Sequence, residues 1–138
     1  MNKRGQTAIS FGMIFSIILI IFFLAFAFFG IKKFIEVQQS ASVSQFKSDI
    51  QNDITTMWNG PQGQQTMKYK LPKKISSVCF DANGYNSLYF LPVNQFEGTT
   101  IQHIDWTKTG KKCFENKDGV VQITLKKDFG ETLVTLSN

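Results

Sequence analysis

Residues 6–31 read QTAISFGMIFSIILIIFFLAFAFFGI, a stretch of 26 positions without a charged side chain. At a helical rise of about 1.5 Å per residue, the stretch extends about 39 Å and exceeds the hydrocarbon core of a bilayer, which is about 30 Å thick. It is also too long and too apolar to be the core helix of a soluble protein of 138 residues. The stretch therefore predicts one transmembrane helix.

A short basic leader precedes this stretch, and an amphipathic continuation of the helix follows it. The leader, residues 1–5, carries Lys3 and Arg4. Within residues 32–58, an apolar stripe at steps of three and four is formed by Val43, Phe46, Ile50, Ile54 and Met57, and the residues between its members are polar. Such a stripe has to be buried. Packing beneath the chain's own sheet is favoured over packing against another subunit.

Turn chemistry separates the helix from a strand-rich head. Asn59-Gly60-Pro61 predicts the end of the helix, because glycine tolerates the left-handed cap and proline cannot continue the ladder. Residues 59–65 are expected to be a linker and residues 66–138 the head. Alternating runs bounded by turns predict six or seven strands, over residues 66–71, 74–80, 87–91, 101–106, 112–115, 120–127 and 132–136. The expected fold class is α+β, a long N-terminal helix followed by a small antiparallel β-sheet head.

Two cysteines, Cys79 and Cys113, lie in the head. A domain of about 80 residues buries only a modest fraction of its surface. If the head lies outside the cell, a disulfide closing a loop of roughly 34 residues would stabilise it by about 3–4 kcal/mol. Two buried free thiols are the alternative.

The sequence contains no recognisable catalytic or cofactor-binding motif. His103 is the only histidine, so no serine or cysteine nucleophile has a spare base. A zinc site built from His103, Cys79 and Cys113 would lack a CxxC pair. The glycine loop that binds phosphate is missing as well. We expect neither enzyme activity nor a metal or other cofactor.

The net charge of +5 comes from lysines, since Arg4 is the only arginine. The lysines cluster at two places, Lys68, Lys70, Lys73 and Lys74 in one and Lys108, Lys111 and Lys112 in the other. Nucleic-acid sites usually use arginine forks and interleaved aromatic residues, so nucleic acid is not an expected partner. Lysines on strands more often guard exposed sheet edges. Contact with an acidic polymer or an anionic lipid is the lesser alternative.

Removal of the apolar stretch as an ordinary signal peptide is disfavoured. Ala25-Phe26-Ala27 fits the small-x-small cleavage pattern. However, the apolar run continues to Ile31, and no polar region precedes the site. An apolar core of this length is typical of an anchor rather than of a signal peptide.

Lys3-Arg4-Gly5-Gln6, directly before the apolar stretch, resembles the signal of archaeal type IV pilin-like proteins. The resemblance covers roughly the first 35 residues and implies that a prepilin peptidase cuts between Gly5 and Gln6 on the cytoplasmic side. Many members of that family carry a glutamate at the fifth position after the cut, where this chain has Ser10. The charged flanks of the helix are nearly balanced, so the placement of the head outside the cell rests partly on this resemblance.

The apolar helix has two interpretations. Its phenylalanines are explained by contact with the lipid bilayer, or by packing against identical or related pilin-like subunits in a filament. The candidate packing residues are Gly12, Ser16, Phe22 and Phe26. The expected protein is a single-pass, pilin-like subunit at the cell membrane or in an extracellular filament. The alternative is an uncleaved single-pass protein whose head binds a partner or ligand outside the cell.

Overall fold

The computed structural model describes residues 10–138. The chain falls into two compact units, divided between Val37 and Gln38. The element common to both is helix α1, Phe11–Asn59, which contains 49 residues. The helix ends at Asn59, and the N–H of Gly60 then donates to the carbonyl of Thr56 at 3.0 Å.

A lysine from the far end of the chain caps this helix. The Nζ of Lys127 donates to the carbonyl of Trp58 at 2.6 Å and to that of Gly60 at 2.8 Å. The last carbonyls of a helix lack partners within it and form the negative end of its dipole, so a cation stabilises them.

The second unit contains two antiparallel sheets of three strands. The first sheet has the order β1-β5-β6, formed by β1 (Gly63–Lys70), β5 (Val120–Lys127) and β6 (Thr135–Ser137). The second has the order β3-β2-β4, formed by β2 (Ser77–Phe80), β3 (Leu88–Leu91) and β4 (Lys112–Glu115). A short helix, α2 (Trp106–Thr109), precedes β4. The α+β class with a long helix and small antiparallel sheets is as expected, although the strands form two sheets rather than one.

The apolar stripe of the amphipathic segment packs into the head's own core, as expected. Its buried members are Val43, Phe46, Ile50 and Ile54, and Met57 packs partly buried against them. The ring of Phe46 lies edge-on to Tyr69 of β1 at 5.2 Å and to Phe90 of β3 at 5.9 Å. One helix face therefore covers both sheets.

A disulfide joins neighbouring strands of the second sheet. Cys79 of β2 lies directly opposite Cys113 of β4 in the antiparallel register. Their Cα atoms are 4.0 Å apart and their sulfur atoms are bonded at 2.00 Å. The two cysteines that the sequence offers as a pair are bonded in the structure.

Several of the expected strand boundaries are wrong: β2 begins at Ser77 rather than at residue 74, and β6 spans Thr135–Ser137 rather than residues 132–136. β1 begins at Gly63 rather than at residue 66, because Gly63 to Gln65 pair with β5 and shorten the expected linker. Residues 101–106 do not form a strand among the described residues. Ile101 and Ile104 are both buried at a spacing of three, His103 has a left-handed φ of 67°, and Asp105 caps α2.

Candidate functional site

The first described part of α1 is apolar and lies open to its surroundings. Every residue from Phe11 to Val37 is exposed, and the large apolar side chains within it range from 38% exposed at Leu19 to 84% at Phe11. The mean hydropathy of its most apolar window is 3.0. Within residues 10–138, this helix alone is long and apolar enough to cross a membrane. In water such a surface would be unfavourable, so it requires lipid or protein around it.

Charges resume directly after the apolar stretch. Lys32 and Lys33 follow Ile31, and the Nζ of Lys33 lies 3.1 Å from Oε2 of Glu36. Both side chains of this pair are more than 60% exposed, at 64% and 63%. Charged side chains of this kind mark the water-facing end of a membrane-spanning segment.

The four predicted packing residues lie on one side of the helix. At about 100° per residue, Gly12, Ser16, Phe22 and Phe26 fall within an arc of about 120°. Phe22 and Phe26 are 64% and 68% exposed. The hydroxyl of Ser16 donates to the carbonyl of Gly12 at 2.8 Å, which satisfies it within the helix. This face can therefore contact either lipid or another helix without an unpaired hydroxyl.

The predicted leader cleavage site, Gly5 and Gln6, lies outside the described residues. The description begins at Ser10, whose carbonyl accepts from the N–H of Met13 at 2.8 Å. Ser10 is exposed and carries no charge that would neutralise an amine.

A shallow groove, here called the helix–strand groove, runs along the head between α1 and β1. One stretch of about 320 Å³ is lined by Asp49 on the helix side and by Lys68 and Lys70 on the strand side, among others. An adjoining stretch of about 210 Å³ is lined by Gln38, Gln39 and Ser42 of α1 and by Lys70, Leu71 and Pro72. β1 thus runs antiparallel to α1, with Lys70 beside the start of the second unit.

Below this groove, the hydroxyl of Tyr69 donates to Oδ2 of Asp53 at 2.7 Å. Burial, and then the hydrogen bond to the Asp53 carboxylate, raise the pKa of Tyr69 above its usual range. Sequence reasoning missed this pair. One signal in the sequence could have indicated it. Asp53 directly precedes the stripe residue Ile54, and a carboxylate beside a buried stripe needs a hydrogen-bond partner.

The single histidine has a packing role. Its ring stacks on that of Trp58 with centroids 3.9 Å apart and an interplanar angle of 12°. In residues 10–138, no three or more His, Cys, Asp or Glu side chains are grouped as metal ligands. The structure places His103 near the C-terminal end of α1 and places Cys79 and Cys113 in the disulfide.

The chain was compared with protein-family models, curated proteins and solved structures. None of the three comparisons finds a match. The site is therefore interpreted from its residues and geometry.

Proposed function

We propose that this chain is a type IV pilin-like subunit of the cell surface. A prepilin peptidase removes the basic leader by cutting between Gly5 and Gln6. The apolar helix then holds the subunit in the membrane, with the head outside the cell. From the membrane the helix is available to pack against identical or related subunits in a filament.

The contrast in burial between the two parts of α1 is the main support for this proposal. Phe11 to Val37 is exposed and apolar up to Ile31, whereas Val43, Phe46, Ile50 and Ile54 are buried by the head. A helix that served only as the core of the head would not continue beyond it as an unburied apolar segment of this length. The disulfide supports an outside location of the head, because such bonds persist mainly in oxidising compartments.

The alternative function is that of an uncleaved single-pass protein whose head binds a partner or ligand outside the cell. Ser10 favours it, because a serine at the fifth position after the cut cannot offer a charge to a neighbour's new amine. The two functions share one topology and differ in processing of the N-terminus and in self-association.

Mass spectrometry of the N-terminus, on protein from native membranes, separates them. A chain that begins at Gln6 or its pyroglutamate supports pilin-like processing. A chain that begins at Met1 or Asn2 leaves a plain membrane anchor and overturns the proposal.

Two glycine variants make this test specific. Gly5→Val should retain the leader, because a branched side chain prevents the close backbone approach that glycine allows at the cut. Gly12→Val changes a glycine beyond the cut and should be processed normally. Equal processing of both variants would contradict cleavage after Gly5.

A further inference from the structure

Four exposed lysines lie on the last residues of β1 and in the turn that follows it, and are here called the lysine patch: Lys68, Lys70, Lys73 and Lys74. Lys73 and Lys74 occupy a tight turn in which the N–H of Ile75 donates to the carbonyl of Pro72 at 3.0 Å. The amide of Asn116 holds this turn by donating to the carbonyls of Pro72 and Ile75 at 3.0 and 2.7 Å. The backbone that carries these charges is therefore fixed.

The lysine patch has no acidic partner within the part of the chain that the structure describes. No salt bridge within residues 10–138 involves any of its four members. Other lysines of the head are engaged: Lys108 contacts Glu131 at 2.8 Å, Lys126 contacts Asp128 at 3.0 Å, and Lys127 caps α1. Two carboxylates lie beside the patch without forming a salt bridge to it: Asp49 lines the groove with Lys68 and Lys70, and Glu115 lines a separate depression with Lys68. The positive charge is thus available to an external anion.

Chain connectivity limits how far the groove can lie from the end of the apolar stretch. Lys70 lines the groove together with Gln38 and Gln39. Gln38 follows Ile31, the end of the apolar stretch, by seven residues. Whatever path the chain takes, seven residues extend at most about 25 Å. If the apolar stretch lies in a bilayer, a connection of this length allows the lysine patch to reach the bilayer surface.

We propose that the lysine patch docks the head on the anionic headgroups of the membrane that anchors it. Each lysine near an anionic surface favours association by about fivefold. This docking rests on the membrane anchoring proposed above. It adds a contact between the head and anionic headgroups, which anchoring by the apolar helix alone does not require.

A second copy of the chain offers a poorer match for this charge. All ten carboxylates of the sequence lie in the described residues. Those of Glu36, Asp53, Asp81, Asp105, Asp128 and Glu131 already accept hydrogen bonds or form salt bridges. The other four lie in different elements or connecting segments. Asp49 lies in α1 and Glu97 lies in the segment that follows β3. Glu115 is the last residue of β4, and Asp118 lies in the turn between β4 and β5. Complementary charge therefore favours lipid over a second head.

Lysine acetylation of the full chain in proteoliposomes tests the docking. A membrane-impermeant reagent is used at limited extent, and mass spectrometry gives the rate at each lysine. Vesicles of phosphatidylcholine alone are compared with vesicles in which about a third of the lipid is phosphatidylglycerol. In the anionic vesicles, Lys68 and Lys70 should react about threefold more slowly, and about 1 M NaCl should remove the difference. Lys111 is the internal reference. Its Nζ lies 3.7 Å from Oδ2 of Asp81, which follows β2, whereas the patch residues precede β2. Lys111 should therefore react at the same rate in neutral and anionic vesicles.

Matched variants locate the effect. Lys73→Gln/Lys74→Gln should abolish most of the protection at Lys70, whereas Lys108→Gln/Lys111→Gln removes the same charge elsewhere and should preserve it. Equal rates in the two vesicles would overturn the docking while leaving anchoring intact. Protection that rises with the protein-to-lipid ratio would overturn docking on lipid and assign the patch to a second copy. Failure of the chain to float with the vesicles would overturn anchoring and docking together.

Discussion

The hydrogen bond from Tyr69 to Asp53 ties β1 to the amphipathic half of α1. Tyr69→Phe removes one hydroxyl from the core and leaves Asp53 without its buried donor. We expect a loss of about 1 kcal/mol in the free energy of unfolding. Tyr85→Phe is the control, because Tyr85 is fully exposed. Chemical denaturation of the full chain in detergent measures both, and equal stabilities of the two variants would contradict the role assigned to this bond.

The same residue gives the head a dependence on alkaline pH. Burial and the neighbouring Asp53 raise the pKa of Tyr69 in the folded state above its usual value of 10.0. Above that pH, an unfolded chain releases the phenolic proton and the folded chain retains it, so the folded state binds more protons. Stability should therefore fall as pH rises above about 10. The fall should be shallower in Tyr69→Phe, since its remaining slope comes from other groups such as lysines.

Helix α1 combines two kinds of surface in one element, and paired phenylalanine variants distinguish them. Phe46 is 2% exposed in the core of the head, and Phe34, in the part of α1 that precedes the unit boundary, is 69% exposed. Phe46→Ala should destabilise the head by about 3–5 kcal/mol through cavity formation. Phe34→Ala should change it by less than about 0.5 kcal/mol. Unfolding in detergent, followed by the fluorescence of Trp58 and Trp106, provides the comparison. Similar losses in both variants would mean that the stability of the head depends on the exposed part of α1 before Gln38 as well as on the buried stripe.

Periodicity was sufficient to predict the elements that bury a regular stripe. The spacing of Val43, Phe46, Ile50 and Ile54 predicted the helix face that meets the sheets. Alternation wrongly predicted a strand over residues 101–106. There His103 has a left-handed backbone conformation and Asp105 caps α2, so the extended conformation does not continue. Such local geometry depends on tertiary contacts, including the N–H of Gln102 donating to Gln51 at 2.9 Å. The partition of six strands into two sheets is likewise a non-local outcome that turn signals do not encode.

For the candidate site, the sequence predicted residue types better than it predicted contacts. The uncharged stretch and the cluster of lysines are both visible in the sequence. What the sequence does not show is that β1 runs antiparallel to α1, which brings Lys70 next to Gln38 and Gln39 at the start of the second unit. The Asp53–Tyr69 pair depends on the same arrangement, because its two members are separated by 16 residues. Strand direction thus decides which residues of α1 the lysines of β1 lie beside, and periodicity within the sequence does not encode that direction.

At the scale of the whole molecule, the pilin-like proposal requires an intact apolar helix and a head that folds independently of assembly. Phe22→Asp introduces a charge near the middle of the apolar stretch, at a cost of about 2.5–3.5 kcal/mol in a bilayer. We expect it to abolish filaments while the head remains folded. Phe22→Leu keeps the apolar surface and should assemble normally. Electron microscopy of cells expressing each variant scores assembly, and non-reducing mass analysis of the Cys79–Cys113 bond scores folding. Normal filaments from Phe22→Asp would refute packing of this helix in a filament core, because a buried carboxylate without a partner is not tolerated there.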